Sequence, residues 1–202
     1  MRLIASSMAV LALLSTPAFA ATSTTPIGND GESILNLAAS AQDYCRLGQV
    51  SSISGLTNAT SSTLSGGQSG ANSDVALNVN LQDQNTDAVQ AWGATINLPY
   101  SVCNHNFAIS FTSTKGGLSY TGTQQASAGF TKLVPYGVSV SLGGATLAVT
   151  DKAIAPNQTF TSSSASPVYG SAVIQLTGLA SSSYLLSGAY SDVANVTITP
   201  VA

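Results

Sequence analysis

The sequence predicts an all-β sandwich, and three observations carry that expectation. After Cys45, apolar and polar residues alternate along most of the chain, which is the period of strands that bury one face. Gly and Pro punctuate the alternating runs at Gly66-Gly67, Pro99, Gly116-Gly117, Pro135, Pro156 and Pro167, a spacing that fits short strands joined by turns. No helical period intervenes, so the pattern reads as a sandwich rather than an α/β fold. No internal repeat is visible.

Taken in order, the chain opens with Met1 and Arg2, an apolar run from Leu3 to Leu14, and Ala18-Phe19-Ala20. This is the layout of an export signal with an A-x-A cleavage site between Ala20 and Ala21. The run of about a dozen apolar residues falls short of the roughly 20 needed to span a bilayer, so no membrane span is expected after cleavage. Domain organisation is therefore read as a signal peptide over 1–20, an N-terminal lead over 21–44 and one sandwich domain over 45–202.

Ser33 to Tyr44 fits two periods. As a strand it places Leu35, Leu37, Ala39 and Ala41 on one face; as a short helix it groups Ile34, Leu37, Ala38 and Ala41, with Asp30 or Ser33 as cap. Ser51 to Ser73 is rich in Ser, Thr and Gly and suits a loop or a polar edge strand. Asp74 to Asp83 sets Val75, Leu77, Val79 and Leu81 against polar neighbours, and Asn106 to Ser113 does the same with Phe107, Ile109 and Phe111. Val138 to Leu142 and Thr146 to Thr150 flank Gly143-Gly144, a hairpin signal. Ser171 to Gly178 adds a further strand. The chain closes on a strand in which Ala194, Val196 and Ile198 face one way, while Val193, Asn195, Thr197 and Thr199 face the other.

Charged residues make up 6% of the chain, against roughly 25% in ordinary soluble domains. Without Arg2, four basic side chains stand against eight acidic ones, a net charge of −4. Arg46, Lys115, Lys132 and Lys152 are scattered singly, whereas nucleic-acid binding needs clustered cations. A surface poor in charge lacks one brake on self-association, which suits a subunit built to assemble.

Cys45 and Cys103 form an even pair in an exported chain, and a single bridge between them is expected. Closing a loop of about sixty residues would stabilise the fold by roughly 4 kcal/mol in the chain-entropy account. The alternative, two separate reactive thiols, lacks a C-x-x-C pairing.

Catalytic and metal chemistry finds no constellation. His105 is the single histidine, and zinc would need further ligands, so a turn residue is the simpler reading. Asp83-Gln84-Asn85-Thr86-Asp87 opens like a calcium loop, but Ala88 and Ala94 occupy the positions that require Gly and Glu. No G-x-S-x-G elbow is present. Asn58, Asn157 and Asn195 begin glycosylation-type triplets of the kind that arise by chance in a Ser/Thr-rich chain. No enzyme activity, cofactor or metal is expected.

The closing stretch LLSGAYSDVANVTITP, Leu185 to Pro200, resembles the C-terminus of spore coat protein U-like and archaic chaperone–usher pilin subunits. In those proteins a G-x-Y-S-D/G turn precedes a terminal Val/Thr strand. ILNLAASAQDYC, ending at Cys45, and SVCNHNFAISFTSTKGGLSY around Cys103 are similar to the same group. The chain departs from that pattern at Leu47-Gly48, where Phe-Gly is expected.

The resemblance implies an immunoglobulin-like, pilin-type sandwich that is incomplete and finished by a donor strand from a neighbour. The donor would be Ser33 to Ala41, with Leu35, Leu37, Ala39 and Ala41 filling pockets. The groove wall would be the strand carrying Ala194, Val196 and Ile198. Function would be that of a structural subunit of a bacterial surface fibre or coat, with a periplasmic chaperone and an outer-membrane usher as partners. The competing reading is a free, monomeric exported binding module for a carbohydrate or surface ligand, with Trp92 beside Tyr100 as its stacking platform.

Overall fold

Period-2 alternation turns into strands throughout. The computed structural model describes residues 39–63, 75–150 and 154–201, and in them the regular structure is entirely β. Strands β1 to β6 are Cys45–Arg46, Ser52–Thr57, Ala59–Thr63, Val75–Val79, Ala88–Val89 and Trp92–Cys103. Strands β7 to β12 are Phe107–Ser113, Leu118–Tyr120, Phe130–Thr131, Leu133–Val134, Gly137–Leu142 and Ala145–Val149. Strands β13 to β17 are Thr159–Thr161, Val168–Gly178, Ser181–Leu185, Tyr190–Ser191 and Ala194–Pro200. The chain is an all-β sandwich of several packed, mostly antiparallel sheets.

The largest sheet runs β1-β6-β14-β11-β12, with β2 also on β6. Its inner face forms a cross-strand row, Ile53, Ile96, Ile174, Val140 and Leu147. Against it packs the three-stranded sheet β13-β7-β17. Phe107, Ile109 and Phe111 of β7 and Ile198 of β17 belong to the same buried cluster. Each of these apolar side chains contributes on the order of 1.5–3 kcal/mol by leaving water, and rotamer-restricted Val, Ile and Phe suit the pleated surface.

The outer face of the large sheet has the opposite chemistry. One row runs Ser52, Asn97, Val173, Ser141 and Thr146, and the next runs Ser54, Thr95, Gln175, Ser139 and Ala148. Neither row carries an ionised side chain.

The strands expected over 74–83, 106–113, 138–142, 146–150, 171–178 and 193–199 correspond to β4, β7, β11, β12, β14 and β17, with β4 ending at Val79 and β14 starting earlier, at Val168. Gly143-Gly144 joins β11 to β12, with Leu142 paired to Ala145. The Ser/Thr-rich stretch after Ser51 supplies β2 and β3, so its described part is a polar edge strand and not a loop.

Trp92–Cys103 was not among the expected strands, because Pro99 reads as punctuation. It is nevertheless an interior strand, β6, twelve residues long. Pro99 and Tyr100 together oppose Ser171, between the pairs Leu98↔Ala172 and Ser101↔Gly170. This is a β-bulge, where a residue without an N–H is tolerated. The buried Ser101 hydroxyl fastens it, donating to the Leu98 carbonyl at 2.8 Å and accepting from the Gly48 amide at 2.9 Å.

Cys45 and Cys103 are disulfide-bonded and face each other in register across β1 and β6. The bridge pins the chain's entry into the sandwich to the end of β6. Of the lead, residues 39–44 lie in neither helix nor strand and are exposed. The choice between strand and helix for Ser33 to Ala38 lies outside the described residues.

Candidate functional site

Asp43–Ala202 carries an apolar groove of about 910 Å³. Ile96, Leu98, Val138, Ile174 and Leu176 of the large sheet line it, together with Phe111 of β7. Val193 to Ile198 form one wall, and Val75 to Leu77 with Val79 of β4 also line it. Among the described residues β17 is paired on one edge only, to β7, and β4 on one edge only, to β3. A row of backbone N–H and C=O groups on β17 is thus left to find partners elsewhere.

Of the expected groove residues, Ile198 is buried and Val196 half-buried, and both join the core cluster. Ala194 is exposed, yet it lines the groove with them. Of the expected donor residues, Leu35 and Leu37 lie outside the described residues. Ala39 and Ala41 are exposed and in no strand.

The Gly188-Ala189-Tyr190-Ser191-Asp192 turn that leads into β17 is a set of anchors. Asp192 Oδ2 accepts from the Ser113 hydroxyl and from Tyr136 OH at 2.8 Å. Its Oδ1 accepts from the Thr114 hydroxyl and the Lys115 and Val193 amides, at 2.8–2.9 Å. Burial by itself would raise the Asp192 carboxyl; the donors, Ser113 foremost and then Tyr136, outweigh it and hold the carboxyl below its ordinary value. Burial, followed by the bond to Asp192 and its charge, pushes the Tyr136 phenol well up.

The rest of the turn is fixed just as specifically. Ser191 Oγ accepts from Lys115 Nζ at 2.7 Å. Tyr190 OH donates to the Thr131 carbonyl at 2.8 Å and accepts from the Leu186 amide at 2.9 Å, while its ring lies 5.4 Å from that of Tyr120. Gly188 has φ 142°, and a Cβ there would come within 2.8 Å of the Tyr120 ring. The turn therefore sets where β17 starts and how it lies beside the groove. Sequence reasoning recognised the motif but not this role, and it missed Ser113 and Tyr136. Ser113 is a polar residue on the otherwise apolar strand face of Phe107, Ile109 and Phe111, whereas Tyr136 lies in the link between β10 and β11 and carries no such signal.

Trp92 is 5% exposed and packs in the core, so it offers no ring to a sugar in solvent. Its indole Nε1 has no hydrogen-bond partner among the described residues. A Cβ on Gly178, its register partner, would fall 2.0 Å from that nitrogen. The ring therefore lies directly over the glycine.

His105 sits in the turn between β6 and β7, with Nε2 3.9 Å from Asp43. Among the described residues no three His, Cys, Asp or Glu side chains converge to hold a metal. Asp83 closes a polar turn, its Oδ1 accepting from the Asn85 and Thr86 amides at 2.7 and 3.3 Å. Among the described residues no helix is long and apolar enough to cross a membrane. No protein-family model, curated protein or solved structure matches the chain.

Proposed function

We propose that this chain is an exported structural subunit of a bacterial surface fibre or coat, completed by a strand inserted from a neighbouring chain. The observation that carries the reading is the apolar groove beside the edge of β17 that has no strand partner among the described residues. An extended segment laid along β17 would gain main-chain hydrogen bonds from the edge and bury alternate side chains on Ile96, Leu98, Ile174 and Leu176. The donor is Ser33 to Ala41, with Leu35, Leu37, Ala39 and Ala41 as the pocket-filling face. The sandwich is then immunoglobulin-like and of pilin type. The groove side belongs with a periplasmic chaperone and an outer-membrane usher that keep it covered in transit.

Three further features support the reading. The Cys45–Cys103 bridge suits an oxidising compartment, the signal-like N-terminus suits export, and the near absence of charge suits assembly. The role is structural, without chemistry of its own.

Peptide complementation tests the donor. A synthetic Ser33–Ala41 peptide added to the full chain carrying Leu37→Asp should raise its thermal midpoint in a dose-dependent way. The same peptide with Asp in place of Leu37 should leave the midpoint unchanged. Indifference to both peptides would contradict the proposal.

A further inference from the structure

Away from the groove, the outer face of the large sheet ends in two aromatic rings that the core does not use. Tyr100 is 67% exposed and Tyr169 is 70% exposed, and their ring centroids lie 6.5 Å apart at a tilt of 42°. Both belong to the outward set. Tyr169 is in register with Val102, which in turn faces Arg46 across β1, while the inward neighbours Ser101 and Cys103 are buried.

The bulge brings the rings together. Tyr100 has φ 59°, a left-handed backbone that a bulky side chain rarely adopts. Such outliers persist where the surroundings enforce them, and they concentrate at binding sites. Ser101 enforces this one through the Leu98 carbonyl and the Gly48 amide.

Beyond the pair stretch the two uncharged rows laid across five strands, eight of whose ten residues are Ser, Thr, Asn or Gln, the others being Val173 and Ala148. Strand spacing makes this platform about 19 Å wide. Hydroxyls and amides offer both donors and acceptors, and exposed tyrosines offer flat apolar contact at low entropic cost. Without ionised groups in those rows, nothing there would select or repel a charged ligand.

We propose that this outer face binds a neutral, β-linked polysaccharide. Successive sugar rings stack their C–H faces on Tyr100 and Tyr169, and their hydroxyls exchange hydrogen bonds with the Ser/Thr/Asn/Gln rows. Arg46, at the margin, donates to sugar hydroxyls rather than selecting a charge. The inference stands independently of strand insertion, since neither Tyr100 nor Tyr169 nor either polar row lines the groove, and of this face only the marginal Arg46 does.

The test is retention of the exported protein on amorphous cellulose, chitin and an insoluble β-1,3-glucan, at 0.05 and 0.5 M NaCl. At least one matrix should retain it at both salt concentrations. Tyr100→Ala combined with Tyr169→Ala should weaken that retention at least tenfold. Phe130→Ala with Tyr184→Ala, which removes another exposed ring pair 5.7 Å apart, should leave it unchanged.

Circular dichroism and intact disulfide content establish that each variant folds. Tyr100→Gly relieves the left-handed backbone while removing the ring, so it should fold at least as well as the wild type and still lose retention. The proposal is overturned by absence of retention on all three matrices, by salt-sensitive retention on anionic beads alone, or by equal loss in the control pair. A change of molar mass in the tyrosine variants without loss of retention would mean that the face meets a second copy, and would overturn it too.

Discussion

Asp192 gathers donors from two distant segments of the chain, Ser113 to Lys115 and Tyr136, onto one carboxylate. Because those bonds hold its acidity below the ordinary carboxylate value, the folded state binds the proton less readily than the unfolded chain. Its contribution to stability is therefore full above about pH 4, the ordinary value, and is lost as the pH falls through the lowered one. Urea unfolding between pH 7 and 2 should show that decline in the wild type and a weaker one in Asp192→Asn. Asp192→Ala at pH 7 should cost about 1–3 kcal/mol, since it strands the buried Ser113 hydroxyl without its acceptor. Gly178→Ala belongs to the same scale. Its Cβ would meet the Trp92 indole, and the expected cost is about 1–3 kcal/mol of overpacking, read from the shift in urea midpoint.

At the scale of the element, β17 carries both stability and the open edge. Ile198 and Val196 both line the groove, but Ile198 is buried in the core and Val196 only half-buried, so stability and assembly should respond differently to the two. Ile198→Ala should cost about 2–4 kcal/mol in unfolding; Val196→Ala should cost less but weaken assembly, as read by the molar mass of the polymer. Most such elements were legible from alternation alone: β7 and β17 read directly as strands. The main failure was β6. Pro99 ordinarily stops a central strand, and the bulge that rescues it depends on Ser101 reaching Gly48, more than fifty residues away in sequence. Trp92 read as a core or rim residue ahead of a sugar platform and is in the core, though nothing local reveals that Gly178 lies beneath it. The resemblance pointed to Ala194, Val196 and Ile198, which line the concavity; nothing pointed to the Asp192 clamp, since its partners Ser113 and Tyr136 are distant in sequence and unremarkable in type.

At the scale of the whole molecule, the apolar groove lies beside a strand, β17, that is paired on one edge only among the described residues. The disulfide holds β1 to β6. Replacing Cys45 and Cys103 with Ser should cost about 2–5 kcal/mol and leave the strand pattern intact by circular dichroism. The central claim concerns what covers the groove. Each donor leucine buried there would contribute roughly 1.5–3 kcal/mol, and a carboxylate in its place would be strongly disfavoured. The most direct measurement is the molar mass of exported protein, purified free of any chaperone, by size-exclusion chromatography with light scattering, for the wild type and for Leu37→Asp. The account predicts polymers for the wild type and disulfide-bonded monomers for Leu37→Asp. A wild-type chain that stays a stable monomer would contradict it.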